Sequence, residues 1–190
     1  MANLYTVEKE IRGRKIVAQF NGISTALRAV DTSYIEDSEN TSVKKLAEFL
    51  FSHVVVEPKF AIDDFGAEKI GEEVTTTING KEYTAKFGGL SAALEAVDSC
   101  YIEGTSNTST EKLAEYLFKN VIVNPENLTI DDFDSMEEFN KVVTFARETM
   151  QGGEAMKEFN EIVAFAREVM QGNFRDKKPV EKTTKAKSKG

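Results

Sequence analysis

The chain contains its own near-copy: residues 11–58 recur without a gap as residues 78–125, with about half of the positions identical. Repetition at one long spacing implies one supersecondary unit built twice, and it outranks any local pattern. Shared positions include Gly13/Gly80, Phe20/Phe87, Leu27/Leu94, Asp31/Asp98, Tyr34/Tyr101 and Pro58/Pro125. These are turn, core and cap residues, and no reactive group is doubled in a way that suggests chemistry. A unit this short is marginal alone, so each copy is expected to lean on its neighbour.

Local patterns place the elements. Asn79-Gly80 lies between two strand-like runs and accepts positive φ at both corners of a two-residue turn, which predicts a hairpin. That turn sets Ile78 opposite Lys81, Thr76 opposite Tyr83 and Val74 opposite Ala85, so Val74, Ile78, Tyr83, Ala85 and Phe87 are expected on one covered face. The first copy offers Val7, Ile11, Ile16, Ala18 and Phe20. Its turn is Arg12-Gly13, where a bulky residue must turn left-handed, and the first hairpin is expected to be the weaker.

A helical stripe follows each hairpin, Ile23, Leu27, Val30 and Tyr34 in one copy and Leu90, Leu94, Val97 and Tyr101 in the other, and both stripes are expected to be buried. Thr108 with Glu111 reads as a capping box opening a helix over 112–121, and Thr41 keeps only the N-cap half. A second repeat ends the chain: residues 138–152 recur almost unchanged at 158–172. Two copies of one amphipathic helix are expected, 136–151 and 156–171, with Ser135 and Glu138 capping the first and Gly152-Gly153 separating them. Two hairpin units and two final helices suggest one helix per unit, the second folding back over the first unit or being offered to another molecule.

The expected class is α+β: two tandem units, each a β-hairpin followed by two helices, plus two repeated helices and a basic tail. The boundaries are 1–66 for the first unit, 67–73 for a linker, 74–134 for the second unit, 135–174 for the helices, and 175–190 for a disordered tail. No apolar run approaches the ~20 residues that span a bilayer, and no signal peptide is read at the start. Net charge is −8, distributed as about +5 over 175–190 and about −13 elsewhere. An acidic body repels nucleic acid.

Candidate chemistry is thin. Asp63-Asp64 and Asp131-Asp132-Asp134 lack the alternation of a calcium loop and read as caps of following helices. His53 faces Asn120 in the repeat and Cys100 faces Ser33, so a triad, a zinc site or an internal disulfide is not expected. Three glycosylation sequons read as loop and cap residues. Phe139, Phe145, Phe159, Phe165, Met150 and Met170 form stripes wide enough for core burial, for an adaptable partner surface, or for both.

Thr77-Ile78-Asn79-Gly80-Lys81-Glu82-Tyr83, continued through Lys86-Phe87-Gly88 and residues 92–98, resembles the opening of tail assembly chaperones of long-tailed, siphovirus-type phages of Gram-positive bacteria. Residues 159–174 with Arg175-Asp176-Lys177-Lys178 resemble the close of such proteins. The doubled unit and doubled helix depart from the single-unit pattern of that family. The resemblance implies no enzyme, no cofactor and no metal. It implies a holdase that binds the tape-measure protein during tail morphogenesis, yields to tail-tube protein, works in the host cytoplasm and is lost from the mature virion. Client contact is expected at Phe145, Phe165, Met170 and Phe174, with Lys177 and Lys178 attracting acidic segments. A structural tail component and a tandem protein-interaction adaptor stay open as alternatives, as does self-association.

Overall fold

The structure, a computed structural model, describes residues 4–36, 38–174 and 178–179. It is α+β, with six α-helices and two antiparallel sheets among the described residues. Strands β1 (Tyr5–Ile11) and β2 (Arg14–Phe20) form the first hairpin, followed by α1 (Ile23–Ser33), α2 (Val43–His53) and β3 (Val55–Glu57). The same succession recurs as β4 (Glu73–Ile78), β5 (Lys81–Lys86), α3 (Leu90–Ser99), α4 (Thr110–Asn120) and β6 (Ile122–Asn124). Helices α5 (Met136–Gln151) and α6 (Glu154–Met170) follow, and β7 (Lys178–Pro179) pairs antiparallel with β1. The expected disordered tail, 175–190, lies outside the described residues except for 178–179, which form β7.

Both hairpins keep the register their turns dictate, with Ile78 opposite Lys81 and Ile11 opposite Arg14. Asn79 and Arg12 both turn left-handed, at φ 50 and 51. The sequence did not announce β3 and β6, three-residue strands that extend each sheet beside β2 and β5. One helix entry shifts as well. Ser42 and Ser109, rather than Thr41 and Thr108, are the N-caps, and their hydroxyls accept from the amides of Lys45 and Lys112. The reason is a backbone tie: the amides of Ser42 and Ser109 donate to the carbonyls of Ser33 and Cys100 at 2.7 Å, which delays helix entry by one residue.

The last two helices divide between the halves. Helix α5 lies on β4, β5 and α4, while α6 folds back over β1, β2 and α2. Matching aromatic trios mark the two seats. Phe159 meets Phe51 and Phe65 edge-on at 6.0 and 5.6 Å, and Phe139 meets Phe118 and Phe133 edge-on at 6.0 and 5.5 Å. Such pairs add about 0.5–1.5 kcal/mol each beyond area burial. Arg12 reaches across from the first turn to α6, bonding Glu161 at 2.9 Å and Glu154 at 2.7 Å. The left-handed arginine that weakens the turn locally thus clamps the covering helix.

The two cores are not sealed from each other. Phe87, Leu90 and Leu94 of the second copy are buried in the first core, beside Phe51, Ile62 and Ala155. Phe87 lies between Gly66 and Gly152, where an added Cβ would stand 3.5 and 2.7 Å from its ring.

Two expectations about burial are overturned. Val74 is exposed: it lies on the edge strand β4, which has no strand on its outer side among the described residues. The α1 stripe is also exposed, with Ile23 at 60% and Leu27 at 61%, whereas its α3 twins Leu90 and Leu94 stand at 0% and 7%. Helix α1 instead buries the small residues Thr25, Ala29 and Ser33 against the first core, which turns its bulky stripe outward.

Candidate functional site

In the first half, the outer edge of β1 is taken by β7, with Tyr5 opposite Pro179 and Thr6 opposite Lys178. In the second half, the corresponding edge of β4 has no strand beside it among the described residues. An open edge carries unpaired amides and carbonyls and is a template for an added segment. Beside that edge lies a groove of about 440 Å³ between β4 and α5, lined by Thr76, Ile78, Asn140, Lys141, Thr144 and Phe145.

The contrast between Phe145 and Phe165, equivalent positions of α5 and α6, explains why only one groove is open. Phe165 is buried, capped edge-on by Phe174 at 5.7 Å, and the Lys9 ammonium lies 5.7 Å from its ring centre. Thr76 stands in β4 where Lys9 stands in β1, and its side chain is too short to cover the ring. No chain is free to fold back after α5 either, because Gly152 and Gly153 lead directly into α6. Phe145 is left half-buried.

Charge frames this apolar floor. Lys141 donates to Glu137 at 2.6 Å on one rim, a bond that lowers the Glu137 carboxyl below its ordinary range. Deeper under the sheet, Glu138 is buried and accepts from the Tyr83 hydroxyl at 2.8 Å and from Lys81 at 3.0 Å. Its amide takes the expected Ser135 cap, but its carboxylate turns to the sheet instead of completing a capping box. Burial first, and then the adjacent carboxylate, push the Tyr83 hydroxyl up to about 12. These groups fix α5 to the hairpin and leave the groove to nonpolar contact with a polar rim.

The other expected site residues separate. Phe165 and Met170 are buried in the first core, so they present no surface, because α6 turns its stripe inward onto the first sheet. Phe174 is half-buried against Phe165. Lys178 is described only through its pairing in β7, and Lys177 lies outside the described residues. The groove needs Thr76 and Ile78 beside Phe145, two residues the sequence reading did not link to it. The signal was the replacement of Lys9 by Thr76 at the repeat spacing.

The candidate chemical residues sit in structural roles. Asp64 and Asp132 accept from the amides of Ala61 and Thr129 at 2.6 and 2.8 Å. His53 stacks on Phe49 at 4.3 Å, and Cys100 is buried, its thiol pushed up by desolvation. Among the described residues no group of three or more His, Cys, Asp or Glu is placed to hold a metal, and no helix is long and apolar enough to cross a membrane. Comparison with protein families, with curated proteins and with solved structures finds no match to this chain.

Proposed function

We propose that this chain is a phage tail assembly chaperone, which binds segments of the tape-measure protein in the host cytoplasm, keeps them from aggregating, and releases them to tail-tube protein. The observation that carries the reading is the open groove at Phe145. Its twin around Phe165 is filled by the chain's own segment, with Phe174 on the ring and β7 on the sheet edge. An extended client segment bearing an aromatic or aliphatic side chain would meet the same surface in the second half: a ring to pack on and a strand edge to bond. A shallow groove gives weak, exchangeable binding, which suits a holdase that must yield to a better partner. The sequence resemblance supplies the identity of the client.

Co-expression with the tape-measure protein of the same genome tests this. The wild-type chain is expected to hold that protein in the soluble fraction, and Phe145→Asp is expected to lose the effect while keeping its own circular dichroism spectrum. Aggregation with the wild type, or equal rescue by Phe145→Asp, refutes the reading.

A further inference from the structure

The two copies meet inside the chain through a specific surface: the outer stripe of α3 lies across α2 and the 3-10 turn Ile62–Asp64. Leu90 and Leu94 supply the apolar part. Three polar ties surround it. Lys44 pairs with Glu95 at 2.8 Å, Ser42 donates to the Asp98 carboxylate, and Asp63 accepts at 2.8 Å from the amide of Ser91 in the first turn of α3. The last tie caps a helix whose own N-cap, Gly89, has no side chain to offer.

Each half of this junction exists a second time without its partner. On α1, Ile23 and Leu27 replace Leu90 and Leu94 and are exposed, and the N-cap is again a glycine, Gly22, with no side-chain bond. On the far side of the second copy, α4 and the 3-10 turn Ile130–Asp132 border a groove of about 510 Å³ lined by Glu111, Ile130, Phe133 and Met136. Ile62 is buried beneath α3, and its twin Ile130 is only half-buried. We propose that copies of this chain join head to tail, the outer stripe of α1 in one copy seating on the α4 face of the next as α3 seats on α2 within the chain.

The polar residues at the two unused faces match as the internal ones do. Ser109 stands where Ser42 stands and Asp31 where Asp98 stands, while Asp131 and Ser24 replace Asp63 and Ser91. The ion pair is reproduced with its signs exchanged: Glu111 replaces Lys44 and Arg28 replaces Glu95. Neither Arg28 nor Glu111 has an ion-pair partner among the described residues. The exchange sets the order. Arg28 would face Lys44, and Glu95 would face Glu111, in any arrangement other than first copy against second, and like charges there disfavour it. A head-to-tail junction is heterologous, so repetition builds a ring if the rotation closes and a helical array if it does not. Between chains no linker raises the local concentration as it does between the copies, so assembly depends on protein concentration. The Phe145 groove belongs to neither face and stays open in every subunit.

Sedimentation velocity of the full chain from about 10 μM to about 1 mM, a range set by the effective concentration a short linker supplies, tests the junction. The wild type is expected to sediment faster as concentration rises. Arg28→Glu and Glu111→Lys, both at exposed positions, are each expected to weaken association by about fivefold or more. Mixing the two variants restores it, because Glu at 28 then meets Lys at 111 and Arg28 meets Glu111. Leu27→Asp abolishes assembly, and Phe145→Asp leaves it intact, which separates this junction from client binding. A wild type that stays monomeric over the range, single charge variants that assemble like the wild type, or a mixture no better than its components overturns the proposal.

Discussion

Gly152 gives the sharpest test of how the two halves are joined. It ends α5 at φ 63, and a Cβ there would stand 2.7 and 2.8 Å from two ring carbons of Phe87. The ring is buried in the first core, where close packing resists its displacement, and its other edge lies 3.5 Å from the ideal Cβ position at Gly66. Gly152→Ala therefore meets two penalties. The left-handed conformation costs a residue with a Cβ about 1–2 kcal/mol, and forcing a methyl into a packed core adds about 1–3 kcal/mol. Gly104 isolates the first penalty, since its φ is 70 and nothing lies within 4 Å of its ideal Cβ. The expected difference between Gly152→Ala and Gly104→Ala is thus about 1–3 kcal/mol, or roughly 0.5–1.5 M in urea midpoint for an m-value near 2 kcal/mol/M. Urea unfolding followed by far-ultraviolet circular dichroism measures both variants. Repeating Gly152→Ala in a Phe87→Ala background completes the cycle, and there the extra cost should vanish because the obstructing ring is gone. Equal destabilisation by the two glycine substitutions, or a penalty that persists without the ring, would refute the placement of Phe87 between the halves.

Two further outcomes follow from the site geometry. The Glu154 carboxyl, held down first by Lys157 and then by Arg12, titrates at about 2. Because its folded value is depressed, its stabilising contribution is complete above the ordinary carboxylate range, about 4.3, and is lost as pH falls toward the folded value. Carboxyl-detected NMR titration should show Arg12→Ala raising that midpoint partway, since Lys157 remains, and an unchanged midpoint would contradict the clamp. Phe165→Ala should cost about 3–5 kcal/mol in denaturant unfolding, as buried phenylalanines do. Phe145→Ala should cost clearly less, and equal losses would contradict the open groove.

Positions governed by neighbours in the chain were legible from the residues alone. Asn79-Gly80 set the hairpin register, the stripes of α5 and α6 were readable from their spacing, and Gly152 closed α5 as expected. Each depends on backbone geometry within a few residues. The short strands β3 and β6 were not legible, because three residues carry too little pattern to stand out from a helix exit.

Residue order fixes a repertoire: two hairpins, two helix pairs, two closing helices, and the faces each could bury. Which of those faces are used depends on how the elements pack in three dimensions. Ile23 and Leu27 carry the same pattern as Leu90 and Leu94, yet one pair meets solvent and the other meets α2 of the preceding copy. Phe145 and Phe165 share a helix position, yet only Phe165 is roofed by Phe174. Burial belongs to a surface and its neighbour together, and the chain pattern specifies only the surface.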